Sequence, residues 1–149
     1  MSAKVWNVYL SGEIHTDWRE RIIKGCKEHN LPVQFHSAVT DHKASDLCGV
    51  SILGSEEKAF WQDRKASGIN AIRTTTHIKE ADIVVVRFGP KYKQWNAAFD
   101  AGYAAALNKP LIILHDEELN HALKEVDNAA NATAATPEQV VDILAYVSK

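Results

Sequence analysis

Cysteine is scarce in this 149-residue chain, with Cys26 and Cys48 the only two. They stand too far apart for a CxxC metal or redox motif and are too few for a disulfide framework, so reduced thiols are expected. Long apolar runs are missing too. The longest are a few residues, too short to span a bilayer, and the N-terminal MSAKVWNVYL has no basic start, apolar core and cleavage site of a signal peptide. The expectation is a soluble, cytoplasmic chain with no membrane partner. An excess of positive charge is also absent: the net charge is -2 and the pI about 6.4, which argues against gripping a nucleic acid polymer. The seven histidines show no HExxH or other close ligand spacing, so neither a metal nor a cofactor is expected.

What is present fits one globular domain over residues 1–149. Hydrophobic residues make up 46% of the chain, and a domain of this size buries about 70% of its unfolded surface. Strand and helix signals alternate. Val5 to Leu10 is a β-rich run that stops at Ser11 and Gly12. Asp17 with Glu20 forms a capping-box pattern ahead of a helix with Trp18, Ile22 and Cys26 on one stripe. Val33 to His36 is a short second strand. Asp41 to Gly54 is polar and without clear period, and is expected to be a loop, a candidate lid. Ser55 begins a helix to about Ala66, Gly68 interrupts it, and a second helix runs from Ile69 to about Glu80. The segment ADIVVVRF has no alternation, so both its faces should be covered. After it come a helix near Glu117 to Val126, a weak strand in 129–135, and a final helix opened by Thr136, Pro137 and Gln139.

The stretch from Gln94 to Leu114, QWNAAFDAGYAAALNKPLIIL, is central. Trp95, Phe99, Tyr103 and Leu107 recur every four residues along one helical face. Asp100 lies one residue past Phe99, about 100° round the helix, beside Gly102 and several alanines. Asn108 is placed to end the helix in the left-handed conformation, Lys109 favours its negative end, Pro110 forbids continuation, and LIIL reads as a buried strand.

Alternating strands and helices with continuous apolar strands imply an α/β, three-layer sandwich with a mainly parallel sheet of about five strands, flavodoxin-like or Rossmann-like. Ligands in such folds sit at the carboxyl ends of strands, near the point where strand order reverses. That rule selects the loop Ser11 to His15, the loop Gly89 to Trp95, and the helix that carries Asp100.

The combination of NVYLSG, KEADIVVV and FDAGYAAALNKPLIIL resembles the nucleoside 2-deoxyribosyltransferase-like family, and more closely its YtoQ-type branch, across essentially the whole chain. The resemblance implies that Asp100 attacks the anomeric carbon of a nucleoside, that Tyr9 helps to position it, and that Ser11, Gly12, Glu13 and His15 lie near the sugar or its 5′ substituent. Gln94, Trp95 and Asn96, at the loop and helix start selected by the carboxyl ends of the strands, complete the candidate substrate-binding set. In that family the nucleophile is usually glutamate, one methylene longer than Asp100. Thr74 and Gln94 stand where acidic residues are usual, and Asn96, Ala97 and Ala98 replace glycines.

Cleavage of an N-glycosidic bond passes through an oxocarbenium-like state that a carboxylate stabilises or traps, with a second group helping the base to depart. Asp100 fits the first role. Asp82, Glu13 and His15 are candidates for the second, although Asp82 begins a strand and is given a structural role first. Glu13 would repel a phosphate, which favours an unphosphorylated sugar. The expected function is therefore a nucleoside 2-deoxyribosyltransferase or N-glycoside hydrolase acting on a small nucleoside-like substrate. The alternative is a catalytically inactive nucleoside- or nucleotide-binding protein. The aromatic and alanine-rich helix has more apolar surface than one sheet face needs, which implies a homodimer or higher homo-oligomer.

Overall fold

The computed structural model describes residues 3–149. Five strands form one sheet: β1 (Trp6–Gly12), β2 (Val33–Ser37), β3 (Ile83–Phe88), β4 (Leu111–His115) and β5 (Ala132–Ala134). Their spatial order is β2-β1-β3-β4-β5 and every pairing is parallel. This is the flavodoxin-like order, in which strand order reverses between β1 and β3. The strands predicted as ADIVVV and LIIL lie side by side in the sheet interior and are buried throughout.

Helices α1 (Trp18–Glu28) and α6 (Pro137–Val147) cover one face. Alternation along β1 sends Val8 and Leu10 to that face, where they meet Ile83 and Val85 from β3 and Trp18, Ile22, Cys26, Val140, Val141 and Leu144 from the helices. Tyr9 goes to the opposite face with Val84, Val86, Ile113 and the buried alanines of α4 (Trp95–Ala106). The start of α6 matches its sequence signature. The Thr136 hydroxyl accepts from the Gln139 N–H, and the Gln139 side chain returns a bond to the Thr136 N–H, a complete capping box with proline at the first turn. At α1 the Asp17 side chain makes no capping bond, so the stripe of Trp18, Ile22 and Cys26 rather than the cap holds that helix down.

Three expectations are corrected. The segment read as a loop or lid from Asp41 to Gly54 is a helix, α2 (His42–Leu53), started by the Asp41 carboxylate, which accepts from the Ala44 N–H at 3.0 Å. Its weak period follows from its packing, because α2 rests on a single neighbour, α3 (Ala59–Glu80), with which it forms an antiparallel hairpin. Gly49 makes that crossing close: a Cβ there would meet the Ala66 nitrogen at 2.5 Å. Nor does Gly68 interrupt α3, which is one helix of 22 residues starting at Ala59 rather than Ser55. Gly68 faces open space, and the ~1 kcal/mol penalty of a helical glycine is small against the packing along so long a helix. Finally, the helix expected at Glu117 to Val126 is a short 3₁₀ turn, Glu117–Leu119, followed by α5 (Lys124–Asn128).

Asn108 has φ 56°, the left-handed stop expected after α4. Lys109 caps a different helix from the one anticipated, since its ammonium donates to the carbonyls of Lys79 at 2.6 Å and Ala81 at 3.0 Å, at the end of α3. In the last helix Val147 remains 40% exposed while Val140, Val141 and Leu144 are buried.

Candidate active site

The carboxyl ends of β1 and β3 meet the second turn of α4 at the place where strand order reverses. Ser11 follows Tyr9 by two residues on the same face of β1, so both side chains point toward α4. The Ser11 hydroxyl donates to Asp100 Oδ2 at 2.6 Å. Ser11 is 1% exposed, and its strand is locked on both sides by the pairings Leu10↔Ser37 and Ser11↔Val86. Asp100 reaches this depth because Ala97, Ala101 and Ala104 form the sheet-facing side of α4. Burial raises the Asp100 carboxyl above the ordinary carboxylate range, and the Ser11 bond opposes that rise without cancelling it. Among the described residues no cationic side chain pairs with it.

Tyr9 is fully buried, and burial pushes its phenol up; the negative charge of Asp100 acts in the same direction. Its hydroxyl lies beside Thr74 yet has no hydrogen-bond partner. The ring stacks against His77 at 5.8 Å, and His77 stacks in turn on His36 at 4.6 Å. The hydrogen bond to the Asp100 carboxylate thus comes from Ser11, and Tyr9 makes none.

The rest of the sequence-selected set splits in two. Gly12 has φ 117°, and a Cβ there would lie 2.1 Å from the Arg87 carbonyl oxygen, the atom that accepts from the Glu13 N–H at 3.1 Å. The chain must therefore turn sharply at this point. Glu13 is turned into the protein. Its carboxylate accepts from the His15 N–H at 2.6 Å, the Thr16 N–H at 3.1 Å and the Thr16 hydroxyl. Burial works to raise the Glu13 carboxyl, but these bonds together outweigh it and hold it below the usual range. These bonds hold the carboxylate in its charged form and fix the loop around it. Gln94 is likewise internal: its carbonyl accepts from the Gly89 N–H at 2.8 Å and its amide donates to the Lys91 carbonyl, bracing the loop before α4. Asp82 has the structural role given to it, accepting from the Asn7 N–H at 2.8 Å and pairing with Lys4 at 3.1 Å.

Between the two loops runs a cleft of about 60 Å³ lined by Glu13, His15, Thr16, Gly89, Pro90 and Lys91, with the His15 and Tyr92 rings 5.2 Å apart beside it. Neither Asp100 nor Tyr9 lines it. Its volume is well below the ~300–1,000 Å³ of pockets that enclose small molecules. Asn96 is exposed, and Trp95 and Phe99 are 72% and 69% exposed. Trp95 and Phe99 therefore face away from the sheet, while Tyr103 is half-buried and packs against the apolar cluster on that face.

Three residues escaped the sequence reading. Arg19 donates to the carbonyls of Glu13, Leu10 and Gly12 at 2.6, 3.4 and 3.2 Å, tying α1 to the first loop. Arg87, at the end of β3, pairs with Asp116 at 3.4 Å. His115, at the end of β4, lies between the Asp116 carbonyl and the Asp127 carboxylate, each at 2.8 Å. A signal existed for Arg87 and His115, since each is the single polar residue at the carboxyl end of an otherwise apolar strand.

A family model described as nucleoside 2-deoxyribosyltransferase YtoQ matches residues 9–148. Uncharacterized protein YtoQ of Bacillus subtilis (strain 168) is 47% identical over 140 residues, covering 94% of this chain and 95% of that protein. Two solved structures share the fold. One is a 2-deoxyribosyltransferase from Bacillus psychrosaccharolyticus, with TM-score 0.57 and 17% identity over 91% of this chain and 90% of that one. The other is a conserved protein from Enterococcus faecalis V583, with TM-score 0.63 and 12% identity over 97% of this chain and 99% of that one. Among the described residues no helix is long and apolar enough to cross a membrane, and no cluster of three or more His, Cys, Asp or Glu side chains is arranged to hold a metal ion.

Proposed function

The chain belongs to the nucleoside 2-deoxyribosyltransferase YtoQ family, and from that premise we propose that it cleaves the N-glycosidic bond of a small 2′-deoxyribonucleoside, with Asp100 as nucleophile. The observation that carries this reading is the half-buried, cation-free Asp100 carboxylate, held by Ser11 at the strand-order reversal. A carboxylate with a basic partner is neutralised, whereas one that is desolvated and held by a single hydroxyl keeps an oxygen available for attack.

The Asp100 oxygen not engaged by Ser11 forms a bond to C1′ as the C1′–N bond breaks, and the electron pair leaves with the base, which takes a proton at the solvent-open side. A second base, or water, then attacks C1′ from the face the first base left and releases Asp100, so configuration is retained. Tyr9 walls the sugar side, and the loop braced by Glu13 and Gln94 holds the mouth of the site. The site is completed by a second copy of the chain, because the cleft alone is too small for a nucleoside and Trp95 and Phe99 on α4, with Phe60 and Trp61 on α3, leave apolar side chains exposed.

Incubating the purified chain with the four common 2′-deoxyribonucleosides, with and without a different free base, tests the reading by chromatography. Exchange of base is expected for a transferase, and release of base without an acceptor for a hydrolase. The binding-protein reading rests on Thr74 and on Gln94, whose amide is already used within its loop. Saturable calorimetric binding with no base released over a day would establish it in place of catalysis.

A further inference from the structure

The bond between Ser11 and Asp100 bears on which sugar the site accepts, an inference that rests on the glycosidic reading above. In a β-nucleoside the base leaves from one face of the sugar and the nucleophile must approach C1′ from the other. A 2′-hydroxyl projects on that same approach side, next to C1′. The carboxylate oxygen that does not attack faces this position, and in retaining glycoside chemistry a 2-hydroxyl forms its strongest contacts there. Here that oxygen is Oδ2, and it already accepts from Ser11 at 2.6 Å.

We propose that Ser11 is a specificity-determining residue: its buried hydroxyl occupies the Asp100 oxygen that a 2′-hydroxyl would engage, so 2′-deoxyribonucleosides react in preference to ribonucleosides. Three features make Ser11 hard to displace. It is 1% exposed, its backbone is fixed within the parallel sheet by β3, and the next residue is Gly12, whose sharp turn against the Arg87 carbonyl keeps β1 from shifting along its axis. A ribonucleoside must bring its hydroxyl against the Ser11 hydroxyl, leaving one of two buried donors poorly paired. The same bond is a positioning device, since it fixes which Asp100 oxygen attacks.

The test compares kcat/KM for matched pairs differing only at C2′: 2′-deoxyadenosine with adenosine, 2′-deoxyguanosine with guanosine, 2′-deoxycytidine with cytidine, and 2′-deoxyuridine with uridine. Wild type is expected to favour the deoxy member by roughly 100-fold, the scale on which one hydroxyl is rejected. Ser11→Ala is expected to reduce that ratio about tenfold or more, by letting the 2′-hydroxyl donate to the freed oxygen, and to move the acidic limb of the pH profile upward as Asp100 loses the bond that favours its charged form. Ser11→Cys keeps the shape with a weak donor and should show the same loss, so it carries the test if the alanine variant does not fold. An unchanged ratio in both variants, or a wild type that prefers ribonucleosides, overturns the role of Ser11 while leaving glycosidic cleavage intact. A wild type that cleaves neither member of any pair overturns both.

Discussion

Replacing Asp100 by asparagine separates a functional carboxylate from a structural one, because the two predict opposite changes in stability. Burial raises the Asp100 carboxyl, so in the folded chain its charged form is disfavoured, and the group holds its proton more tightly folded than unfolded. Its contribution to stability is then complete at acid pH, where it is protonated in both states, and is lost as pH rises through the folded-state value. At neutral pH the carboxylate is a net burden. Asparagine keeps the shape, its amide oxygen still accepts from Ser11, and its NH₂ takes the partly exposed side. A hydrogen bond to an ionised acceptor is worth about 1.5–3 kcal/mol and a neutral one about 0.5–1.5 kcal/mol, so asparagine forfeits on the order of 1 kcal/mol of bonding. The upward direction of the shift means that the relief of desolvation exceeds that loss. We expect a net gain in stability, read as a Tm at pH 7 above that of the wild type. Base release should fall by about 10² to 10³, the usual effect of removing one electrostatic group from a reacting centre. Calorimetric scans at pH 7 and at pH 4 check the linkage: the difference between variant and wild type should shrink at the lower pH. A variant that melts several degrees lower at pH 7 and keeps full activity would falsify the reasoning, since it would make Asp100 a paired structural group.

Gly12→Ala should be among the most damaging substitutions in the chain, because φ 117° is strained for alanine and the new Cβ falls 2.1 Å from the Arg87 oxygen; a loss of at least ~3 kcal/mol is expected in denaturant titration. His77 is held below its ordinary range by burial, then by His36 and Arg73, so its contribution to stability is intact above about pH 6.5 and is lost as pH falls. His77→Gln should therefore flatten the decline of Tm between about pH 7 and pH 5. Light scattering at micromolar concentration should give at least twice the chain mass of 16.6 kDa, and Phe99→Asp should shift it toward the monomer, whereas a monomeric wild type would remove the proposed second copy.

The parts of the fold that could be read from sequence are those whose local signal and tertiary role agree. β3 and β4 are continuous apolar runs because both faces are covered, and α6 begins where its capping box says it should. Helix α2 was hidden because it packs on α3 alone and needs no strong stripe; the Asp41 cap was its one legible mark. Gly68 misled for a related reason, since its tolerance depends on the length of α3 around it and not on its neighbours in sequence. In the site, the rule placing ligands at carboxyl ends selected segments that the fold brings together at the strand-order reversal. It could not say which side chains turn inward. Ser11 and Asp100 are separated by 89 positions, and their contact is a product of helix placement. Glu13 and Gln94 look like substrate-facing polar residues in sequence, yet both are consumed by their own loops.

Helix placement is itself legible once the two faces of α4 are distinguished. A four-residue repeat of Trp95, Phe99, Tyr103 and Leu107 invites the reading that these side chains face the core, yet Ala97, Ala101 and Ala104 do so. Small side chains let the helix approach β1 and β3 more closely than aromatic ones would, since packed helices settle at distances set by the side chains between them. That approach suits an aspartate. With one methylene fewer than the glutamate the family resemblance implies here, Asp100 has a shorter reach, and a helix held close to the sheet restores contact with Ser11 at 2.6 Å. The same choice turns Trp95 and Phe99 outward, and Phe99 stacks in parallel on the half-buried Tyr103 with centroids 6.5 Å apart. The alanine face thus sets the depth of the carboxylate and also displaces the apolar bulk to where a second chain can cover it.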